Sequence, residues 1–230
     1  MVGCTQTEKT TNNNLLKFNE FIGQEKAEVL DNTVAVFHEF LRTNYSDEKG
    51  LQWQTLAFLK DLNSIHSRDS DWMWLNPNWS IDEDQSEELI ASWKFSGLRR
   101  EVWLYGPEIR QWYGGNMDHS ENSEFSLPEQ KKPTIVDSLL RDNPEGYYIK
   151  GLKNYAPENE YFKEFFDYYS VSLSTPSAAA LIPSLIESEI DLTDPFIQRI
   201  VAVDLFIFVI NADLERKKGK TIGDTWYVGP

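Results

Sequence analysis

Three histidines, 37 carboxylates, eight tryptophans and one cysteine are the side chains of this 230-residue chain best equipped for chemistry. His38, His66 and His119 stand far apart in the sequence. His38 lies beside Glu39, but no second histidine follows four residues on, so the helical pair that holds a catalytic zinc is not formed. Gly114-Gly115 is followed by no lysine and opens no evident helix, so it reads as a turn and not a phosphate cradle. No strand–turn–helix serine elbow occurs. Asp69-Ser70-Asp71 has the alternating acids that begin a calcium loop, but the glycine and terminal glutamate of that loop are missing. The sequence therefore assigns no catalytic residue, no metal ligand and no cofactor.

The carboxylates and tryptophans leave one further chemistry open. Two carboxylates flanking a glycosidic bond can hydrolyse it, and flat aromatic faces stack on sugars. Among 37 acids some pair always looks suitable, so the tryptophans carry the argument. Six of the eight lie between Asn63 and Gly115. Trp72, Trp74 and Trp79 fall in a stretch of Asp, Ser, Asn and Pro that reads as a loop, where binding residues often reside. With Trp112 and Tyr113 they form the candidate ligand-binding set. Packing is the competing role for all of them, because large aromatics supply much of a core's buried area.

Charge narrows the choice of partner. The formal net charge is −15, so the phosphate backbone of nucleic acid is repelled and a cationic protein or peptide is attracted. Eight carboxylates and a single arginine, Arg68, lie between Asp61 and Ile90. Cys4 is the only cysteine, which excludes an intramolecular disulfide and a cysteine-cluster metal site.

Cys4 has a second reading. The triplet Val2-Gly3-Cys4 resembles the end of a bacterial lipoprotein signal, in which a small residue precedes the cysteine that is lipidated. The segment Ser96-Gly97-Leu98-Arg99-Arg100-Glu101, with Trp103 and Tyr105, has a faint likeness to uncharacterised helical lipoproteins of Gram-negative envelopes. The resemblance implies a lipid on Cys4 as the only membrane attachment, a location in the periplasm or at the outer membrane, and an apolar segment upstream in the reading frame. Residues 1–14 would then be a flexible tether, being polar and without a surface to bury. If the triplet is accidental, the chain is a cytoplasmic interaction domain.

The elements that position these groups read as helices. Ala27, Leu30, Val34, Phe37 and Leu41 recur at spacings of three and four, and Leu51, Phe58, Leu59 and Leu62 mark a second helix after a short break. Gly23 marks a joint before the first of these. Asp84 with Glu87 fits a capping box ahead of Leu89, Ile90 and Trp93, and Leu98 to Tyr105 continues helically. Residues 116–133 read as an exposed loop. Pro176 and Pro183 bracket a small apolar helix, and 218–230 reads as a tail. The stretch 194–214 is apolar on nearly all sides, with Pro195 at a first helical position. Asp204 interrupts it too centrally for a membrane span of about 20 apolar residues. The expectation is a mostly α protein: one helical domain over 15–217 packed around a buried helix at 194–214, with Asp204 satisfied by an Arg, Lys, Tyr or Trp donor.

Overall fold

The computed structural model describes residues 6–66, 76, 78–104, 141–172 and 178–219. It is a single all-α domain built on a mostly buried apolar helix. In chain order the helices are α1 (Gln6–Ile22), α2 (Gln24–Asn44), α3 (Gly50–His66), α4 (Glu83–Ser96) and α5 (Leu98–Val102). They continue as α6 (Tyr147–Tyr155), α7 (Glu160–Ser172), α8 (Ala178–Glu187) and the central α9. Helix α9 is continuous through Pro195–Val201, a π-helical turn at Ala202–Phe206, and Ile207–Lys217. Two short strands, β1 (Trp103–Leu104) and β2 (Arg141–Asp142), pair antiparallel, with Trp103 opposite Asp142.

Helix α9 is long and apolar enough to cross a membrane by length and composition, but its surface is spent on protein contacts. It packs against α1, α2 and α4. Phe196 meets Phe18 of α1 and Phe162 of α7 at ring-centroid distances of 5.7 and 6.5 Å. Ten residues later, at the end of the π-turn, Phe206 meets Phe37 and Phe40 of α2 at 5.2 and 5.1 Å. Asp194 starts the helix: its side chain accepts from the backbone N–H of Phe196 and Ile197, and Pro195 occupies the position where a missing N–H does no harm.

Gly23, at φ +89°, is the joint between α1 and α2 that the sequence marks, since a side chain there would be strained. Gly151 on α6 lets that helix lie against α1. A Cβ in its place would stand 2.8 Å from Phe18 Cε2. Trp93 of α4 donates to Thr33 of α2 at 2.6 Å and stacks on Trp103 at 5.1 Å, which closes the domain beside α9.

Four sequence expectations change here. Residues 6–14, read as tether, belong to helix α1. Gln6, Glu8 and Lys9 are good helix formers, and extending a helix already anchored by Phe18 and Ile22 needs no new nucleus. The cap of α4 is Asp82, accepting from Gln85 N at 2.8 Å, two residues before the Asp84 box. The helix expected over Leu98–Tyr105 stops at Val102, where the chain turns into β1. Pro183 lies inside α8 and does not end it. The exposed loop at 116–133 falls outside the described residues, as does the tail beyond 219.

Candidate functional site

A cleft of about 440 Å³ opens between α2 and the start of α4. Val36, Glu39, Phe40 and Thr43 line it from one face of α2, at the spacing that puts helical residues in a row. The segment Ser80–Asp82 and the first turn of α4, with Gln85 and Ser86, form the facing wall. Phe206, the last residue of the π-turn in α9, lines it from the core side together with Phe40.

Local hydrogen bonds hold both walls. The Asn44 amide bonds the backbone of Ser80 in both directions, accepting from its N–H at 2.7 Å and donating to its C=O at 2.9 Å. That fixes the distance between the end of α2 and the entry to α4. Asp82 is oriented by its bond from Gln85 N, and the Ser86 hydroxyl donates to the Asp82 carbonyl at 2.6 Å. Glu39 accepts from Arg42 at 2.5 Å, a pair about half exposed on both sides and so weakly held.

Trp79 supports the cleft from behind. It is half-buried, edge-on to Phe40 at 5.4 Å and tilted against Phe58 at 5.6 Å. Its indole N–H donates to the Tyr45 hydroxyl at 3.0 Å, and that hydroxyl donates to Asp61 at 3.0 Å. Burial, reinforced by the Asp61 charge, pushes the Tyr45 phenol well above its ordinary pKa, so it remains a donor. Trp79, one of the candidate ligand-binding tryptophans, thus has ring contacts to Phe40 and Phe58 and its polar handle satisfied. Polar neighbours in sequence hid this, because Phe40 and Phe58 come from two other helices. Trp72, Trp74, Trp112, Tyr113 and Cys4 lie outside the described residues.

A second depression, about 180 Å³, lies where α1, α2 and the start of α9 meet, lined by Asp31, His38, Gln198 and Arg199 among others. Its polar groups are largely turned on one another. The Gln198 amide nitrogen donates to Thr55 Oγ1 at 3.0 Å and to the Leu192 carbonyl. Its oxygen therefore faces His38 Nε2 at 2.8 Å, which places the imidazole proton on Nε2. Burial pushes the His38 pKa down, and the Arg42 charge adds to that.

Asp204 sits at the centre of the π-turn and is buried among apolar neighbours. Of its two oxygens, Oδ2 is buried and accepts no hydrogen bond. Arg199, the nearest cation in sequence, donates through Nη2 to Asn19 at 2.8 Å and to Asp31.

The cleft lining contains no histidine, cysteine or lysine; its polar side chains are the hydroxyls of Thr43, Ser80 and Ser86, the Gln85 amide and the carboxylates of Glu39 and Asp82. Among the described residues no group of three or more His, Cys, Asp or Glu side chains is placed to hold a metal ion. What the cleft offers is a mainly polar lining that includes two carboxylates, with Val36, Phe40 and Phe206 buried behind it, which suits a cationic group. The sequence shows Glu39, Asp82 and Phe206 without marking them as a site. Asp82 precedes a helix and reads as an ordinary cap, and Phe206 enters the lining only through tertiary packing. Comparison with protein-family models, curated proteins and solved structures finds no match.

Proposed function

We propose that this is a non-catalytic binding protein of the bacterial envelope, tethered through a lipid on Cys4, whose partner is a basic protein. The observation that carries the reading is the cleft between α2 and α4, with Phe40 and Phe206 beneath and Glu39 and Asp82 at the rim. A lysine or arginine side chain of the partner enters the cleft and brings its charge to the two carboxylates. The net charge of −15 steers such a partner in and speeds encounter. The packing of Trp79 against Phe40 and Phe58 weighs against the alternative, a glycan-binding protein or hydrolase built on loop tryptophans.

The tether is tested by expression from the native gene start. The protein should partition into detergent, and Cys4→Ser should release it. A soluble product with an unmodified N-terminus by mass spectrometry would remove the envelope part of the reading. Binding of a basic partner should weaken steeply as salt passes about 0.1 M, where the Debye length is roughly 10 Å.

A further inference from the structure

The middle of α9 holds a group that the cleft does not use. Asp204 is 8% exposed and central to the π-turn Ala202–Phe206, with Val203 and Leu205 buried on either side. A carboxylate so placed must find a cation, a hydrogen-bond donor, the surface or a proton. It is not at the surface. Arg199, the cation on its own helix, is engaged by Asp31 and Asn19. Oδ2 accepts no hydrogen bond.

The groups whose fields reach Asp204 from other elements are Tyr148 on α6, Tyr161 on α7 and Asp142 on β2. Neither phenol hydroxyl has a hydrogen-bond partner, and both are buried. Asp142 carries a negative charge of its own and opposes a second one nearby. No side chain in this set neutralises an ionised Asp204. The π-turn adds a further observation. Such turns disturb the regular i→i−4 ladder and recur where a helix carries function. This one holds its single carboxyl group buried at its centre.

We propose that Asp204 is a resident proton site: the folded chain carries this carboxyl as a neutral acid beside the phenols of Tyr148 and Tyr161, and loss of the proton loosens the π-turn. Burial, with the charge of Asp142 added, pushes the Asp204 pKa well above the ordinary carboxylate range. Burial likewise raises the Tyr148 and Tyr161 phenols, so both stay neutral beside it. Because Phe206 ends the same turn and lines the cleft, deprotonation is coupled to cleft shape. That coupling rests on the reading of the cleft given above; the proton site itself does not.

The sign follows from linkage. An unfolded aspartate titrates near about 3.9. Above that value the native chain holds one proton more than the unfolded chain, until pH passes the raised native pKa. The stability contributed by Asp204 is therefore complete below the unfolded pKa and is lost as pH rises through the native one. Within the window, the folding constant of Asp204→Asn relative to wild type should rise about tenfold per pH unit.

The test needs no cleft ligand, so it stands or falls separately from the proposed function. Full-length protein with carbon-13 in its aspartate carboxyls is examined at neutral pH by infrared and nuclear magnetic resonance, with denaturant titrations from pH 4 to 9. The expected result is a protonated-acid signal in the wild type that Asp204→Asn lacks, together with the rising ratio of folding constants. Should Asp204→Asn not fold, Asp194→Asn serves instead, since its amide oxygen still caps α9. Persistence of the signal in Asp194→Asn supports the proposal, and its loss overturns it by assigning the proton to the cap. A wild type whose aspartates are all ionised at neutral pH, or a flat ratio, overturns it outright.

Discussion

Arg199 and Asp31, 168 residues apart in sequence, form an ion pair in which the arginine side chain is 2% exposed and the aspartate 55%. The guanidinium also lies over the Phe18 ring, 4.8 Å from its centroid, and bonds Asn19. One partner is thus buried inside the junction of α1, α2 and α9, while the other closes it from solvent. Burial pushes the Arg199 pKa down, and Asp31 opposes that shift.

Removing the lid should expose this dependence. Asp31→Asn keeps the shape and withdraws the charge, and should cost about 1–3 kcal/mol, the range for hydrogen bonds to charged groups, with solvent around Asp31 holding it toward the lower end. Arg199→Ala should cost more, because it also removes packing over Phe18. Denaturant midpoints measure both. Equal effects from the two variants would show that the pair matters only as a pair and not as a buried stem.

Trp79 should behave as a structural residue. Trp79→Ala should lose about 2–4 kcal/mol, somewhat below the range for a fully buried tryptophan. Trp79→Phe should keep the contacts to Phe40 and Phe58 and lose on the order of 1 kcal/mol with the Tyr45 hydrogen bond. Unchanged thermal stability in Trp79→Ala would return this residue to the ligand-stacking role that its sequence neighbours suggest.

His38 gives a pH signature opposite to that of Asp204. Its pKa is depressed in the folded state, so the native chain binds fewer protons than the unfolded chain once pH falls below about 6.5. Its contribution is present above that value and is lost as pH falls through the lowered native pKa. His38→Gln, which can still donate to Gln198, should abolish this loss when its stability is compared with wild type between pH 4 and 8. A parallel decline in both proteins would assign the acid sensitivity elsewhere.

The helical frame was legible because its signals are local. The spacing of Ala27, Leu30, Phe37 and Leu41 names the buried face of α2, and Pro195 behind Asp194 names the start of α9. What stayed hidden depends on contacts between distant residues or on a local exception to helical geometry. A sequence wheel places Gln198, Arg199, Asp204, Asn211 and Asp213 on no single side, and the π-turn is part of the reason, since it resets the phase in mid-helix. Asp204 was marked as an anomaly, but the expected donor follows from chemistry alone. The structure instead aims Arg199 at Asp31. The cleft was not legible at all: its lining comes from α2, the entry to α4 and the π-turn, and each contributor has an ordinary local reading.

The central claim is that Glu39 and Asp82 receive a cationic group from a partner. Titration of a short oligolysine peptide at low salt, followed by calorimetry, tests it against a charge-matched control. One variant carries Glu39→Gln and Asp82→Asn, the latter preserving the cap of α4 because asparagine caps as well as aspartate. The control carries Glu164→Gln and Asp167→Asn on the exposed side of α7, so both variants lose the same two charges. The account predicts that the cleft variant loses at least about tenfold in affinity, the scale of a close interfacial charge pair, while the control stays near wild type. Equal losses in the two variants would mean that net charge alone attracts the peptide, and an unchanged affinity in the cleft variant would contradict the site.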